Sequence, residues 1–164
     1  MAKAKVVPGK DLMIFVDDKA TAAATSHRIS ISADTSESAS KDDGAWGNST
    51  VTKLRWEGGT EALVSLDEGV DSYDAMYDKM IARKPVKIVS GRPSNITDDG
   101  VPEEGWEVPT QKYYKGEALI TSLERNDPNG DNSTMSVGFT GIGKLERVEA
   151  DAATTSETGE TEES

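Results

Sequence analysis

The chain of 164 residues has no cysteine, so neither a disulfide framework nor a thiolate metal site is open to it, and cysteine usage says nothing about its compartment. It has one histidine, His27. A Ser-His-Asp triad needs its base held by an acid and next to a nucleophile. Ser26 is adjacent in sequence, but successive strand residues point to opposite faces, so His27 reads as a structural residue. Apolar runs are short: none approaches the ~20 residues that span a bilayer. The N-terminal MAKAKVVP carries lysines with no apolar segment behind them, so it does not read as a signal peptide. The expectation is a soluble chain made in a cytoplasm, with no membrane binding. Positive charge is scarce too, with 18 Lys+Arg against 30 Asp+Glu and a net charge of −12. Phosphate backbones repel such a chain, which counts against sequence-specific nucleic-acid binding. No phosphate loop, dinucleotide fingerprint or HExxH occurs. Gly58-Gly59 and Gly141-Ile142-Gly143 are too short to cradle a phosphate and read as strand ends or close backbone approaches. No catalytic residue, metal ligand or cofactor is assigned.

What is present is short strands, turn signals and one helix. Residues 11–16 (DLMIFV) are a continuous apolar run that reads as a buried strand, and Asp17-Asp18-Lys19 turns the chain. Residues 27–33 alternate, with Ile29, Ile31 and Ala33 on one face and Ser30, Ser32 and Asp34 on the other. Residues 35–50 are polar and without period, which predicts a long loop of the functional or disordered kind. Alternation resumes over 51–57, with Thr52, Leu54 and Trp56 opposing Val51, Lys53, Arg55 and Glu57. A helix is predicted over 72–84: Asp71 or Ser72 can cap it, and Tyr73, Met76, Tyr77, Met80 and Ile81 form its apolar stripe. Lys79, Arg83 and Lys84 suit its C-terminal end, and Pro85 stops it. Another strand follows over 86–90, then an irregular segment over 92–111, then a closing hairpin. In that hairpin Leu119, Thr121 and Leu123 alternate upward, and Met135, Val137 and Phe139 alternate downward.

The fold class expected is mainly β: an antiparallel sandwich or barrel of six or seven strands with one flanking helix. The organisation expected is an N-terminal arm over 1–9, a domain over 10–145, and a disordered acidic tail over 146–164.

Three features invite a chemical reading. Asp127, Pro128, Asn129, Gly130 and Asp131 resemble a calcium loop. The glycine comes too early, however, no bidentate Glu follows, and no helices flank it, so the segment reads as a hairpin tip. The acidic pairs Asp42-Asp43, Asp98-Asp99 and Glu103-Glu104 sit in loops, where solvated charge is the ordinary state. Trp46 and Trp106 each lie in a long polar segment, either as partner-contact anchors or folded back over the core; the sequence leaves both readings open.

Residues 9–63 ("GKDLMIFVDDKATAAATSHRISISADTSESASKDDGAWGNSTVTKLRWEGGTEAL"), the helix, and "GEALITSLERNDPNGDNSTMSVGFTGIGKL" together resemble the major tail proteins that build the tail tube of long-tailed bacteriophages and prophages. The resemblance covers residues 10–145 and rests on whole-chain order, with no single signature residue. It implies a structural virion protein, not an enzyme, whose copies assemble as hexameric rings that stack into a hollow tube. Such a tube encloses the tape-measure protein, meets tail-terminator and initiator proteins, and conducts DNA without specific binding. It also implies assembly in the host bacterial cytoplasm and residence in the phage tail. On this chain the inter-ring contact loop implied is Thr35, Ser38, Lys41, Asp42, Asp43, Trp46 and Asn48. Candidate lumen-facing residues are Ser30, Ser32 and Asp34 with Lys53, Arg55 and Glu57; the two cations require acidic neighbours to balance them. A calcium- or carbohydrate-binding sandwich module is the alternative, with Trp46 and Trp106 as platform and the turn over residues 127–132 as ion site.

Overall fold

The computed structural model describes residues 3–38, 40–42, 44–67, 71–97, 102 and 105–150. Asp43 of the expected contact loop lies outside them, as do Asp98-Asp99, Glu103-Glu104 and the acidic tail from residue 151. The chain runs through β1 (Met13–Val16), β2 (Lys19–Ala20), β3 (Ala24–Glu37), β4 (Ser49–Leu63), α1 (Tyr73–Ala82), β5 (Val86–Gly91), β6 (Gln111–Asn126) and β7 (Thr134–Ala150). The strands make one sheet in the order β2-β1-β5-β6-β7-β4-β3, and every pairing is antiparallel. This is the mainly β, one-helix class read from the sequence.

A short link decides the shape of that sheet. β2 and β3 occupy its opposite edges, yet only residues 21–23 separate them. If the sheet were flat, its edge strands would stand about 29 Å apart at ~4.8 Å per neighbour, whereas four extended residues reach about 14 Å. The sheet must therefore curl until its edges approach. Hydrogen bonds fasten the link: the Ala22 N–H donates to the Asp71 carbonyl at 3.0 Å, and the Leu63 N–H donates to the Ala23 carbonyl at 3.0 Å.

Period 2 then sorts the core. Ile14 and Val16 of β1 enter the larger cluster with Trp56, Ala62, Met76, Ile88, Ala118, Val137 and Phe139. Phe15, between them, points the other way into a smaller cluster with Val89 and Tyr113. The segment before β6 closes the smaller cluster with Trp106 and Val108. Asn95 pins that segment, donating to the Gly105 carbonyl at 2.8 Å and accepting from the Glu107 N–H at 2.9 Å. Trp106 thus packs inward, and its position in a polar stretch reflects core capping.

Helix α1 is shorter than the predicted 72–84. Lys84 precedes Pro85, a position that disfavours helical geometry, and Arg83 leaves the helix in the left-handed conformation with φ 56°. The helix rests on the core through Met76, flanked by Tyr73 and Met80, while Tyr77 and Ile81 of the expected stripe are exposed. Ser72 holds the N-cap position, but its hydroxyl accepts from the Ser65 N–H at 2.9 Å and does not cap α1.

Two boundaries move. The predicted loop over 35–50 shrinks, because β3 runs to Glu37 and β4 starts at Ser49. The last strand continues past Leu145: Tyr113 pairs with Val148 and Gln111 with Ala150, and Val148 packs on the smaller cluster. One apolar side chain in an otherwise polar stretch suffices here, because β6 offers it a register and a core to cover.

Trp56 is the large side chain around which the closing strands fit. Its Nε1–H donates to the Gly143 carbonyl at 3.2 Å, and its ring meets Phe139 edge-on with centroids 6.3 Å apart. A Cβ on Gly141 would overlap the indole, and one on Gly116 would approach it to 2.7 Å. Gly141→Ala is therefore expected to lower stability by about 1–3 kcal/mol, the usual cost of forcing extra volume into a packed core. Chemical denaturation followed by tryptophan fluorescence reads this directly; an unchanged midpoint would show that the indole yields without cost.

Candidate assembly surfaces

The register of β3 against β4 joins the two sets of predicted lumen residues. Ser30 pairs with Glu57, Ser32 with Arg55 and Asp34 with Lys53, so all six stand on one face, opposite the buried Trp56. The Arg55 guanidinium meets the Asp34 carboxylate at 2.6 Å, which supplies a local acidic partner for one of the two cations. Both groups are well exposed, so the pair adds little to stability and chiefly evens out charge. The face continues across β7, where Thr140 lies opposite Glu57, Gly138 opposite Gly59 and Ser136 opposite Glu61. On β6 it passes through Leu119, Ser122 and Glu124. The result is a broad surface of small and polar side chains on the back of the larger core.

Beyond the body of the sheet, β3 and β4 continue as a two-stranded ribbon. β7 pairs with β4 only from Glu57 to Leu63, so residues 49–56 have β3 alone as neighbour. Ile31, predicted inward with Ile29 and Ala33, is 61% exposed, and Leu54 is 73% exposed. The alternation is real, but at this point no core lies behind the inward face. Val51 comes to the same side as Thr35 through the irregularity after Asp34. Of the expected contact loop, Thr35 belongs to β3. Ser38, Lys41, Asp42, Trp46 and Asn48 lie in the connection at the ribbon's end, closed by Ser38 N–H to the Asn48 carbonyl at 2.9 Å. Trp46 is 86% exposed, in contrast to Trp106.

Asp127, Pro128, Asn129, Gly130 and Asp131 form the turn between β6 and β7. Gly130 takes φ 89°, Arg125 Nε bonds Asp127 Oδ2 at 2.9 Å, and the Asn132 N–H donates to Asp131 Oδ1 at 2.8 Å. Among the described residues no group of three or more His, Asp and Glu side chains is placed to hold a metal ion.

A groove of about 990 Å³ opens where the two sheet edges approach, lined by Leu12, Met13, Lys19 and residues 20–27 with Asp71 and Trp106. No local pattern announces it: Asp71 reads from the sequence only as a helix cap. His27 Nδ1 lies 3.1 Å from Thr60 Oγ1, and burial pushes the imidazole below its ordinary value of 6.5. Asp71 is 3% exposed. Burial raises its carboxyl above the ordinary 3.8, helped by Asp17 and opposed by Lys79 and Lys19.

The model of the phage tail tube protein family matches residues 6–147. The chain belongs to this family. A search of the curated proteins found no match. Among solved structures, the tail tube fold recurs in a chain from the virion of a native gene transfer agent particle. That chain has a TM-score of 0.66 and 15% identity, covering 87% of this chain and 99% of that one. The SPP1 tail tube gives a TM-score of 0.63 at 16% identity, covering 89% and 81%. The tube-terminating cap of the anti-feeding prophage gives 0.62 at 16%, covering 92% and 95%. At these identities the likeness is one of fold.

Because the folded chain favours the protonated form of Asp71, the stability linked to this group is fully present below pH 3.8 and is lost as pH rises through the raised value. Asp71→Asn is therefore expected to melt above the parent protein at neutral pH, with the gap closing as pH falls through the carboxylate range. Calorimetry across that range checks the sign; a variant that melts lower at neutral pH would mean the carboxylate is satisfied.

Proposed function

We propose that this chain is the subunit of a phage tail tube: copies close into rings, hexameric as in the family, and the rings stack into the conduit for the tape-measure protein and then DNA. The observation that carries the reading is the ribbon of β3 and β4. A two-stranded ribbon with apolar side chains on an uncovered face is marginal alone and needs a further surface to lie on. A neighbouring copy offers one, and heterologous contacts of this kind close rings. Tyr77 and Ile81 on the outside of α1 are exposed apolar groups available for such contacts.

In this reading the face bearing Ser30, Ser32, Asp34, Lys53, Arg55 and Glu57 lines the bore. Its side chains are small or polar, Arg55 has the Asp34 carboxylate beside it, and the net charge of −12 disfavours adhesion of DNA in transit. The connection at the end of the ribbon, with Trp46 and Asn48, supplies the ring-to-ring contact. The tube belongs to the virion and is assembled in the host cytoplasm; terminator and initiator proteins meet its two ends. The role is mechanical and calls for no catalysis. The binding-module reading loses half its platform, since Trp106 packs against the smaller cluster.

Electron microscopy of the concentrated protein tests this. The intact chain is expected to give rings or hollow tubes. Ile31→Asp with Leu54→Asp is expected to raise the concentration needed for assembly about tenfold or more, as for loss of interface anchors. The monomer's melting temperature should hardly move, because both side chains are already exposed. Tubes from the double variant at the parent threshold would remove the ribbon from the interface, and monomers alone from the intact chain would count against the tube.

A further inference from the structure

The chain has five asparagines, at positions 48, 95, 126, 129 and 132, and only Asn129 precedes a glycine. Asparagine amides are among the chemically labile groups of a protein. The backbone nitrogen of the following residue can attack the side-chain carbonyl. A Cβ on that residue crowds the nitrogen, and hydrogen bonds to either group hold the two apart.

Neither obstacle exists at the tip of the β6–β7 hairpin. Gly130 has no Cβ, and no other atom lies within 4 Å of the place where one would stand. Asn129 and Gly130 are both exposed. Among the described residues none hydrogen-bonds to Pro128, Asn129 or Gly130, so the carboxamide and the Gly130 N–H are both free. Gly130 stands at φ 89°, and the strand ladder closes below it at Asn126 and Thr134, so the peptide between residues 129 and 130 can turn without breaking a pairing. The turn's charged groups are engaged with others: Arg125 Nε meets Asp127 Oδ2 at 2.9 Å, and Asp131 Oδ1 accepts from the Asn132 N–H at 2.8 Å. The other asparagines are followed by Ser49, Ile96, Asp127 and Ser133, all with side chains. Asn95 is held as well, since its carboxamide bonds the Gly105 carbonyl and the Glu107 N–H.

We propose that Asn129 is a site of spontaneous covalent modification, its amide converted through a cyclic imide with Gly130 to aspartate and isoaspartate. Hydroxide removes the Gly130 amide proton, the nitrogen attacks Asn129 Cγ, and the side-chain nitrogen leaves as ammonia. Water then opens the ring. Breaking the bond from Cγ to the ring nitrogen leaves aspartate; breaking the bond from the main-chain carbonyl to that nitrogen leaves isoaspartate. One water is consumed and one ammonia released, and nothing is oxidised or reduced. Either product sets a further carboxylate between Asp127 and Asp131, and isoaspartate also lengthens the backbone at the tip. The hairpin below is untouched, so the tip records the age of each copy. This goes beyond the tube reading and does not depend on it.

The test ages the folded chain in water labelled with heavy oxygen at mildly alkaline pH and sequences its peptides by mass spectrometry. Residue 129 is expected to take up label first, at a rate proportional to hydroxide and close to that of the same chain unfolded in urea, while Asn95 keeps its amide. Aspartate and isoaspartate are both expected. Gly130→Ala is expected to slow uptake about tenfold or more, which needs only a small rise in the barrier. Asn129→Gln is expected to remove the fast uptake altogether. Calorimetry of the aged protein is expected to return the parent melting temperature, and a clear fall would overturn the confinement of the change to the tip. Aspartate without isoaspartate would mean direct hydrolysis and remove Gly130 from the reaction. Label spread evenly over the five asparagines overturns the proposal, and so does a residue 129 that reacts in urea but not in the folded chain.

Discussion

Residues 21–23 are too few to join opposite edges of a flat seven-stranded sheet, and much of the molecule follows from that shortage. The curl it forces gives the sheet an inside and an outside. The inside is filled by alternate residues of β4, β6 and β7 under α1. The outside of those strands keeps the other half of the alternation, which is polar. The same curl stops short of pairing β2 with β3, and the unfilled seam is the groove. A longer link would have allowed an open sheet with neither seam nor enclosed core.

Trp56 does for the closing strands what the link does for the edges. It stands at the point where β4 leaves the body of the sheet: on one side of it β7 is present and residues are buried, and on the other they are exposed. Gly116 and Gly141 leave room for the indole where any side chain would collide. Large and absent side chains are matched here across three strands far apart in sequence. Such a match cannot be read from local pattern, which is why Gly141-Ile142-Gly143 read as a strand end or a close backbone approach with no sign of the indole that fills the space.

The sequence was legible where a signal is local. Turn residues around Gly130, the stop at Pro85 and the alternation through Ile29–Ile31 and Met135–Phe139 all mark elements that are present. What it concealed depends on the far side of each element. Ile31 and Leu54 alternate as core residues do, and only the reach of β7 reveals that nothing covers them. Trp46 and Trp106 look alike in sequence, yet one stands in solvent and the other caps Phe15 and Val89. Val148 falls in the stretch read as a disordered acidic tail, but β6 gives it a partner and a core. Thr21, His27 and Asp71 gave no joint signal, being scattered over 51 positions of chain and brought together by the curl.

The free ribbon also bears on how copies would come together. A two-stranded ribbon without a surface beneath it pays an ordering cost when it docks. The first two copies to meet pay it for a single contact, whereas a copy joining an existing ring end is held by several at once. In the proposed tube, assembly would therefore be nucleated: slow to begin, quick to extend, and sensitive to any template that presents the first docking surface already in place.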